Sequence, residues 1–237
     1  MPILDLQSLW NLAADQHRNY VEADPFPYAV IDDFLSPAGL DLAFRAFPSM
    51  DDFSWKLPVH VHAVNKYVTT YDNQRLKDTL FNDDARCLFS HLNAGSFLFF
   101  LEMLTGIKAV MPDPYFIEGG FHCVGDKGKL DIHADFTHHT GLGLQRRINL
   151  LLYLNKDWKK EYGGGLGLYD KQVKRKAYIE PILNRCVIFN TSYTSYHGHP
   201  EPMNLPEGVM RKSIALYYYT KPTGIAPRKI YFPMDGV

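Results

Sequence analysis

Hydrophobic positions in the first part of the chain recur at the spacing of an α-helix. In residues 3–18 they fall three or four positions apart, which predicts an amphipathic helix. The short apolar run YAVIDDFL, residues 28–35, predicts a strand. Ser36 and Pro37 are residue types that favour a helix N-cap and first turn, so a second helix is predicted from there to Phe47.

A long third helix is predicted from Asn82 to about Thr105. Asn82 is a capping residue, two aspartates follow it, and Gly106 is the residue type that most often ends a helix. The most apolar stretch of the chain, SFLFFLEMLTGIKAVM, is interrupted by Glu102 and Lys108 and is too short to span a bilayer. The first hundred residues are therefore predicted to be mostly helical.

From about Met111 the pattern changes to short strands separated by turns. PDPYF breaks the last helix, and the segments that follow either alternate apolar and polar residues or are apolar throughout. The predicted strands lie in GKLDIHADF, RRINLLLYLN, EYGGGLGLYD, RCVIFN and RKSIALYYYT. RRINLLLYLN is apolar enough to predict a strand that is buried on both faces.

Helices followed by strands predict an α+β fold. We expect residues 1–237 to form a single domain whose core, residues 111–221, is a double-stranded β-helix of the jelly-roll or cupin-like kind. Residues 1–110 would be mainly helical support. Within them, residues 60–74 are predicted as a loop and strand that shape a substrate pocket.

The composition argues against several classes of protein. The 237 residues carry 25 Lys plus Arg and 26 Asp plus Glu, for a net charge of −1, so nothing favours binding to nucleic acid or to a membrane surface. The 3 cysteines are widely spaced, which argues against a disulfide framework or a thiolate zinc site. The N-terminus does not resemble a signal peptide. We expect a soluble, cytoplasmic protein, whose oligomeric state the sequence leaves open.

One segment, LDIHADFTHH, concentrates residue types that bind metals. His133 and Asp135 lie two positions apart, so on a strand they point to the same side and can converge on one ion. His197, in SYTSYHGHPEP, supplies a further histidine from a distant part of the chain. A structural zinc site favours thiolate ligands, so two histidines and a carboxylate are a poor set for it. They suit an iron centre that keeps open coordination positions.

Other residues in these segments have simpler interpretations. An isolated His-X-Asp is usually a polar turn, and His199 is so close to His197 that the two compete as the distal ligand. His138 and His139 follow in a predicted loop, where solvent exposure or substrate contact fits them better than metal binding. Of the adjacent Arg146 and Arg147, one must face inward and the other outward, and the sequence does not decide which.

The order of five motifs resembles the iron(II)- and 2-oxoglutarate-dependent dioxygenases, most closely their prolyl 4-hydroxylase-like branch. After the His-X-Asp motif come RRINLLLYLNKDW, the Gly-Gly turn of EYGGGLGLYD, IEPILNRCVIFNT, the distal YHGHP and an Arg-X-Ser strand. The agreement covers about residues 115–221. VIDDFL, near the start of the chain, also looks like the N-terminal segment of the family's sequences.

The resemblance implies roles for individual residues. His133, Asp135 and His197 would be the iron ligands, with His197 preferred over His199 because the family's histidine directly follows a Ser-X segment. Arg211 stands where the family places the basic residue that pairs with the distal carboxylate of 2-oxoglutarate. A guanidinium is apt there because its planar fork binds a carboxylate through two hydrogen bonds.

The resemblance also implies smaller contributions to cosubstrate binding. Tyr153 matches a tyrosine that donates its hydroxyl to the same carboxylate, and Ser213, two residues beyond Arg211, would add a second hydroxyl. One departure is Cys123, which stands where relatives often carry a cosubstrate-binding tyrosine. Either His122 or Phe121 takes that role, or the cosubstrate contacts are partly rearranged.

The implied activity is that of a hydroxylase using Fe(II), 2-oxoglutarate and O2, with ascorbate as a candidate reductant. Such enzymes release succinate and CO2 and hydroxylate an unactivated C–H bond, here of a small molecule or of an amino-acid or prolyl side chain. Asp135 favours hydroxylation, because a halogenase of this fold has a small residue there. The alternatives are a non-catalytic cupin-like metal- or ligand-binding or sensing protein, and a cupin-type metalloenzyme without 2-oxoglutarate.

Overall fold

The computed structural model describes residues 2–51, 55, 62–69 and 81–233. The helices of this part are α1 Leu6–Val21, α2 Pro37–Ala46, α3 Asp83–Leu92 and α4 Gly95–Thr105. The strands are β1 Tyr28–Ile31, β2 Ala63–Val68, β3 Met111–Pro112, β4 Gly120–His133, β5 Gln145–Tyr153, β6 Leu166–Tyr169, β7 Arg175–Ile179, β8 Cys186–Asn190, β9 Tyr196–His199 and β10 Arg211–Thr220.

The predicted starts of α2 and α3 are confirmed by their capping hydrogen bonds. The Ser36 side chain accepts from the Gly39 backbone N–H, and the Asn82 side chain accepts from that of Ala85. Each bond satisfies one of the N–H groups that a helix N-terminus leaves without an internal partner. The end at Gly106 is confirmed as well, since this residue adopts the left-handed conformation with φ 74°.

The prediction of one long helix over residues 82–105 is wrong. The chain forms two helices, α3 and α4, with a bend of 44° between them. Asn93 closes α3 by donating its N–H to Phe89 O, and Ala94 is extended with ψ 149°. Asparagine is a poor residue for a helix interior and a good one for its end. The bend lets α4 contact α1, where Trp10 Nε1 donates to Ser96 O at 3.1 Å.

No single helix of the described residues is long and apolar enough to cross a membrane. The pair α3 and α4 reaches the required length and composition only together, across their bend. Several of their apolar side chains, among them Leu88, Phe97 and Leu101, are fully buried in the core of the structure.

The strands form an antiparallel sheet in the order β1-β8-β5-β10-β4-β9-β6-β7. The long strand β4 connects the two halves of this order. Its first residues pair with β10, as in Arg211↔Val124, and its last residue, His133, pairs with His197 of β9. The sheet therefore curls on itself, and the fold is an α+β double-stranded β-helix with helices against one side.

The central strands are buried on both faces, as RRINLLLYLN predicted. On β5, Ile148 and Leu150 belong to the core shared with the helices, whereas Asn149 and Tyr153 line a cavity inside the curled sheet. The same alternation on β10 places Leu216 against the helices. The period of two in a strand thus separates a packing face from a cavity face.

Other sequence predictions were incomplete. The strand predicted in GKLDIHADF begins earlier, at Gly120, and ends at His133. Of the loop and strand predicted over residues 60–74, the strand is β2, and residues 60–61 and 70–74 lie outside the described part of the chain. The strand predicted in YAVIDDFL is β1, which is shorter than predicted and ends at Ile31.

Candidate functional site

Three buried side chains converge at the junction of β4 and β9. Within the described residues, His133, Asp135 and His197 form the group whose potential ligand atoms all lie within 4.8 Å of one another. His133 Nε2 is 3.7 Å from Asp135 Oδ1, and His197 Nε2 is 3.5 Å from Asp135 Oδ2. The cross-strand pairing His133↔His197 brings the two rings together, with centroids 4.4 Å apart.

The two histidines are oriented as metal ligands would be. His133 Nδ1 is 2.9 Å from Asp131 O, and His197 Nδ1 is 2.9 Å from Ser195 O. A carbonyl oxygen only accepts, so each Nδ1 carries the proton and each Nε2 presents a lone pair to the centre. Burial lowers the pKa of His197 to about 4, which keeps that ring neutral at neutral pH. This donor set fits Fe(II).

Asp135 is held as a carboxylate by two neighbours on β5. Its Oδ2 accepts from Arg146 Nη2 at 3.0 Å and from Asn149 Nδ2 at 2.6 Å. Burial by itself would raise the pKa of Asp135, but the charge of Arg146 and the contacts with His197 and His133 hold it well below its usual value of 3.8. Arg146 is therefore the inward arginine of the pair; Arg147 is only partly buried.

The remaining histidines of these segments do not reach the centre. His139 was predicted to be exposed or to contact substrate, and this is wrong. It is 1% exposed, its Nε2 lies 3.2 Å from Asp113 Oδ1, and its Nδ1 accepts from two backbone N–H groups of its own turn. His138 is half-buried. His199 lines the cavity two residues beyond His197, and burial lowers its pKa well below the usual value.

A second polar cluster lies on the cavity face of β5 and β10. Arg211, Tyr153 and Ser213 are buried and line the same cavity as the three converging residues. Arg211 Nη2 lies 3.4 Å from the Tyr153 hydroxyl, and Arg211 Nε donates to Gly164 O at 2.7 Å. Burial raises the pKa of Tyr153, so its hydroxyl remains a donor.

The glycine turn of EYGGGLGLYD packs directly against Arg211. Gly164 has φ +68°, and a Cβ there would lie 3.1 Å from Arg211 Cδ and 2.3 Å from Met203 Sδ. A side chain at this position would be strained by the positive φ and would crowd Met203 and Arg211, and glycine avoids both costs. The turn thus provides both an acceptor for Arg211 Nε and the room that its side chain needs.

The neighbours of Cys123 on β4 face different sides of the sheet. His122 and Val124 line the cavity, whereas Phe121 belongs to the core against the helices. Of the two residues considered as replacements for the missing tyrosine, His122 is the one on the cavity face. Its Nε2 is 3.1 Å from Glu118 O.

Sequence reasoning missed several residues that line the cavity. Asn149 was passed over within an apolar strand. Lys66 also lines the cavity, and burial lowers the pKa of its ammonium to about 8. From beyond residue 221, Phe232 lines the cavity and stacks on His62 with ring centroids 3.8 Å apart. Tyr231 exchanges two backbone hydrogen bonds with Ala134, between His133 and Asp135.

The part of the chain that carries the three converging residues and Arg211 is similar to a known family. Residues 119–219 match the model of the 2OG-Fe(II) oxygenase superfamily. A prolyl 3-hydroxylase from Mus musculus is 31% identical over an alignment of 103 residues, and the alignment covers 38% of this chain and 18% of that protein. The match therefore spans less than a fifth of that relative's length.

Solved structures with similar folds include two prolyl hydroxylases. One, from Trichoplax adhaerens and in complex with an oxygen-degradation-domain peptide of hypoxia inducible factor, has a TM-score of 0.54 at 19% identity and covers 90% of this chain and 91% of its own. A prolyl 4-hydroxylase from Phytophthora capsici has a TM-score of 0.55 at 13% identity. The match covers 99% of this chain and 70% of that one. At these identities the likeness concerns the fold.

Proposed function

We propose, from the match of residues 119–219 to the 2OG-Fe(II) oxygenase superfamily and from the site geometry, that the chain is an Fe(II)- and 2-oxoglutarate-dependent hydroxylase. His133, Asp135 and His197 would hold the iron. The observation that carries the proposal is the buried convergence of these three side chains, with both Nε2 lone pairs directed at one point.

The second cluster fits the far carboxylate of 2-oxoglutarate. Arg211 offers a planar cation, and Tyr153 and Ser213 offer hydroxyl donors on the same wall of the cavity. A buried guanidinium without a bound anion is costly, so a carboxylate is the expected occupant. With iron at the centre, the remaining keto and carboxylate oxygens of 2-oxoglutarate would supply ligands for its open positions.

Bound iron and 2-oxoglutarate would supply the activation of O2, and the protein supplies position and charge. Asp135 compensates one of the two charges of Fe(II), and Arg146 and Asn149 hold its second oxygen so that the carboxylate does not rotate. Apolar residues such as Leu151, Leu166 and Tyr217 line the cavity and limit its water content.

The expected reaction is hydroxylation of a C–H bond with release of succinate and CO2. The similar proteins named above are prolyl hydroxylases, which supports a small molecule or an amino-acid or prolyl side chain, within a peptide or free, as the substrate class. A cytoplasmic location, a single domain over residues 1–237 and ascorbate as the reductant remain predictions.

Succinate formation by a matched pair of variants tests the proposal. The wild-type protein with Fe(II), 2-oxoglutarate and O2 should produce succinate, and His197→Ala should abolish this, because one of three ligands is lost. His138→Ala, in a half-buried side chain outside the cavity lining, is the control and should keep most of the turnover. Iron and 2-oxoglutarate binding without any succinate would instead favour a non-catalytic binding protein. Activity retained in His197→Ala but lost in His199→Ala would show that the ligand is His199.

A further inference from the structure

One charged side chain in the cavity has no task in the contacts proposed for iron and 2-oxoglutarate. Lys66 lies on β2, paired with Val124 of β4, and lines the cavity together with the metal centre and Arg211. It is half-buried. Among the residues that the structure describes, its ammonium has no hydrogen-bond or ion-pair partner. A cation in such a position is costly unless an anion joins it.

The nearest acidic residue does not supply that anion. Glu118 also lines the cavity, and its charge is the largest favourable influence on the Lys66 ammonium, yet no ion pair within 4.0 Å joins the two. Glu118 is exposed, with φ +57°, and its carbonyl oxygen accepts from the Tyr217 hydroxyl. Its position is thus set by its backbone rather than by Lys66.

The same cavity contains a second polar side chain that lacks a partner. His199 is 4% exposed and lines the cavity. Its Nδ1 is buried and has no hydrogen-bond partner among the described residues. A buried polar atom left in this state costs free energy that a ligand can recover. Lys66 and His199 therefore indicate a subsite whose occupant comes from outside the chain.

We propose that Lys66, with His199 beside it, binds a free carboxylate of the substrate, so that the protein acts on amino acids or short peptides with a free α-carboxylate. This inference rests on the proposed function. Under the proposed function, Arg211, Tyr153 and Ser213 would hold the far carboxylate of 2-oxoglutarate, and its near end would bind the iron. Lys66 is thus left for a third carboxylate, that of the substrate.

Pairs of acids and carboxamides test this inference. The probes are the twenty free amino acids and X-Pro dipeptides, each beside its C-terminal carboxamide. Binding is measured by calorimetry under nitrogen, on protein loaded with Fe(II) and 2-oxoglutarate. At least one free acid should bind about ten- to a hundredfold more tightly than its carboxamide, because the amide loses a charge-assisted hydrogen bond. The two arms of the panel distinguish a free amino acid from a peptide as the source of the carboxylate.

Variants at position 66 locate the effect. Lys66→Met should bind the acid and its carboxamide equally, whereas Lys66→Arg should keep most of the preference. The control is Lys127→Met, in a side chain that is 64% exposed and outside the cavity lining, and it should behave as wild type. Glu118→Gln should not weaken acid binding. If Lys66 served only to balance Glu118, the double variant Lys66→Met/Glu118→Gln would regain the preference for the acid that Lys66→Met loses.

Three results would overturn the inference. They are a panel in which no acid binds, equal binding of acids and carboxamides to the wild-type protein, and a Lys66→Met variant that loses affinity for 2-oxoglutarate but not for the acid. The last result would assign Lys66 to the cosubstrate.

Affinity for 2-oxoglutarate is measured separately, so its absence in the wild-type protein counts against the proposed function. The acid and carboxamide comparison is then made on protein loaded with Fe(II) alone and still decides the role of Lys66.

Discussion

Strand β10 presents two different surfaces. Ile214 and Leu216 face the helices and pack among aromatic and aliphatic side chains, whereas Arg211 and Ser213 face the cavity. On β5, Ile148 and Leu150 likewise face the helices, and Asn149 and Tyr153 face the cavity. The helix-facing surface is continuous apolar packing, of the kind that stabilises a fold. The cavity surface places charged and polar groups where water is scarce, and this has a cost in stability.

The cost is visible in the hydrogen bonding of the cavity. Among the described residues, the buried polar side-chain atoms without a hydrogen-bond partner include Arg146 Nη1 and His199 Nδ1, and both residues line the cavity. Such atoms are the places where a ligand can add hydrogen bonds. We conclude that the helix-facing surface contributes most of the stability, and that the cavity surface gives up some stability in favour of binding.

The largest effect on stability is expected on the helix-facing surface. Leu216→Ala should lower the free energy of unfolding by about 2–5 kcal/mol, because it leaves a void in a packed core. The affinity of the folded protein for 2-oxoglutarate should stay within about twofold, since Leu216 is outside the cavity. Urea unfolding and calorimetry measure the two quantities. The control is Leu142→Ala, in a side chain that is 40% exposed, and its effect should be within about 0.5 kcal/mol. A loss of cosubstrate affinity in Leu216→Ala would contradict the division of tasks.

The next largest effect is expected at Arg211. Arg211→Ala should weaken 2-oxoglutarate binding by about 1.5–3 kcal/mol, because a charge-assisted contact with the carboxylate is lost. Iron binding should be unchanged. Arg45→Ala, which removes an exposed ion pair with Asp84 on the helical side of the protein, is the matched control and should leave the cosubstrate affinity as it is. If Arg211→Ala bound 2-oxoglutarate as tightly as the wild-type protein, another cation would have to hold the carboxylate.

The smallest effect compares two tyrosines that face opposite sides. Tyr153→Phe removes a hydroxyl beside Arg211 and should weaken 2-oxoglutarate binding by about 0.5–1.5 kcal/mol. Tyr218→Phe removes a hydroxyl that donates to Leu92 O on the helix side at 2.9 Å. It should cost stability of about 1 kcal/mol and no cosubstrate affinity. If Tyr218→Phe bound 2-oxoglutarate more weakly than Tyr153→Phe, the assignment of the two surfaces would be wrong.

The sequence was sufficient for features that depend on local pattern. Apolar alternation identified the central strands, and the order of motifs identified the residues that converge in the cavity, since His133 and Asp135 are two apart and His197 directly follows a Ser-Tyr pair. Capping residues identified two helix starts. These signals are short-range and carry their physical cause in the residue types themselves.

Features that depend on long-range register could not be read in this way. Arg146 faces the cavity because the pairing of β5 with β10 is irregular. Tyr218 pairs with Ile148, but the next residue, Tyr219, pairs with Arg146, so Arg147 has no partner in this register. Without this irregularity, Arg146 would share the helix-facing side of Ile148. Lys66 was missed for a related reason, because only the pairing of β2 with β4 brings it to the cavity.

The most direct test of the account is the origin of the oxygen in succinate. The protein is supplied with Fe(II), 2-oxoglutarate and ascorbate under isotopically labelled O2, and succinate is analysed by mass spectrometry, so that no knowledge of the substrate is needed. Oxidative decarboxylation transfers one atom of O2 to the new carboxylate of succinate, while the other atom goes to a substrate or is reduced by ascorbate. We expect the wild-type protein to form succinate with one labelled oxygen, and His197→Ala to form no succinate. Unlabelled succinate, or an amount that does not depend on Fe(II), would contradict it.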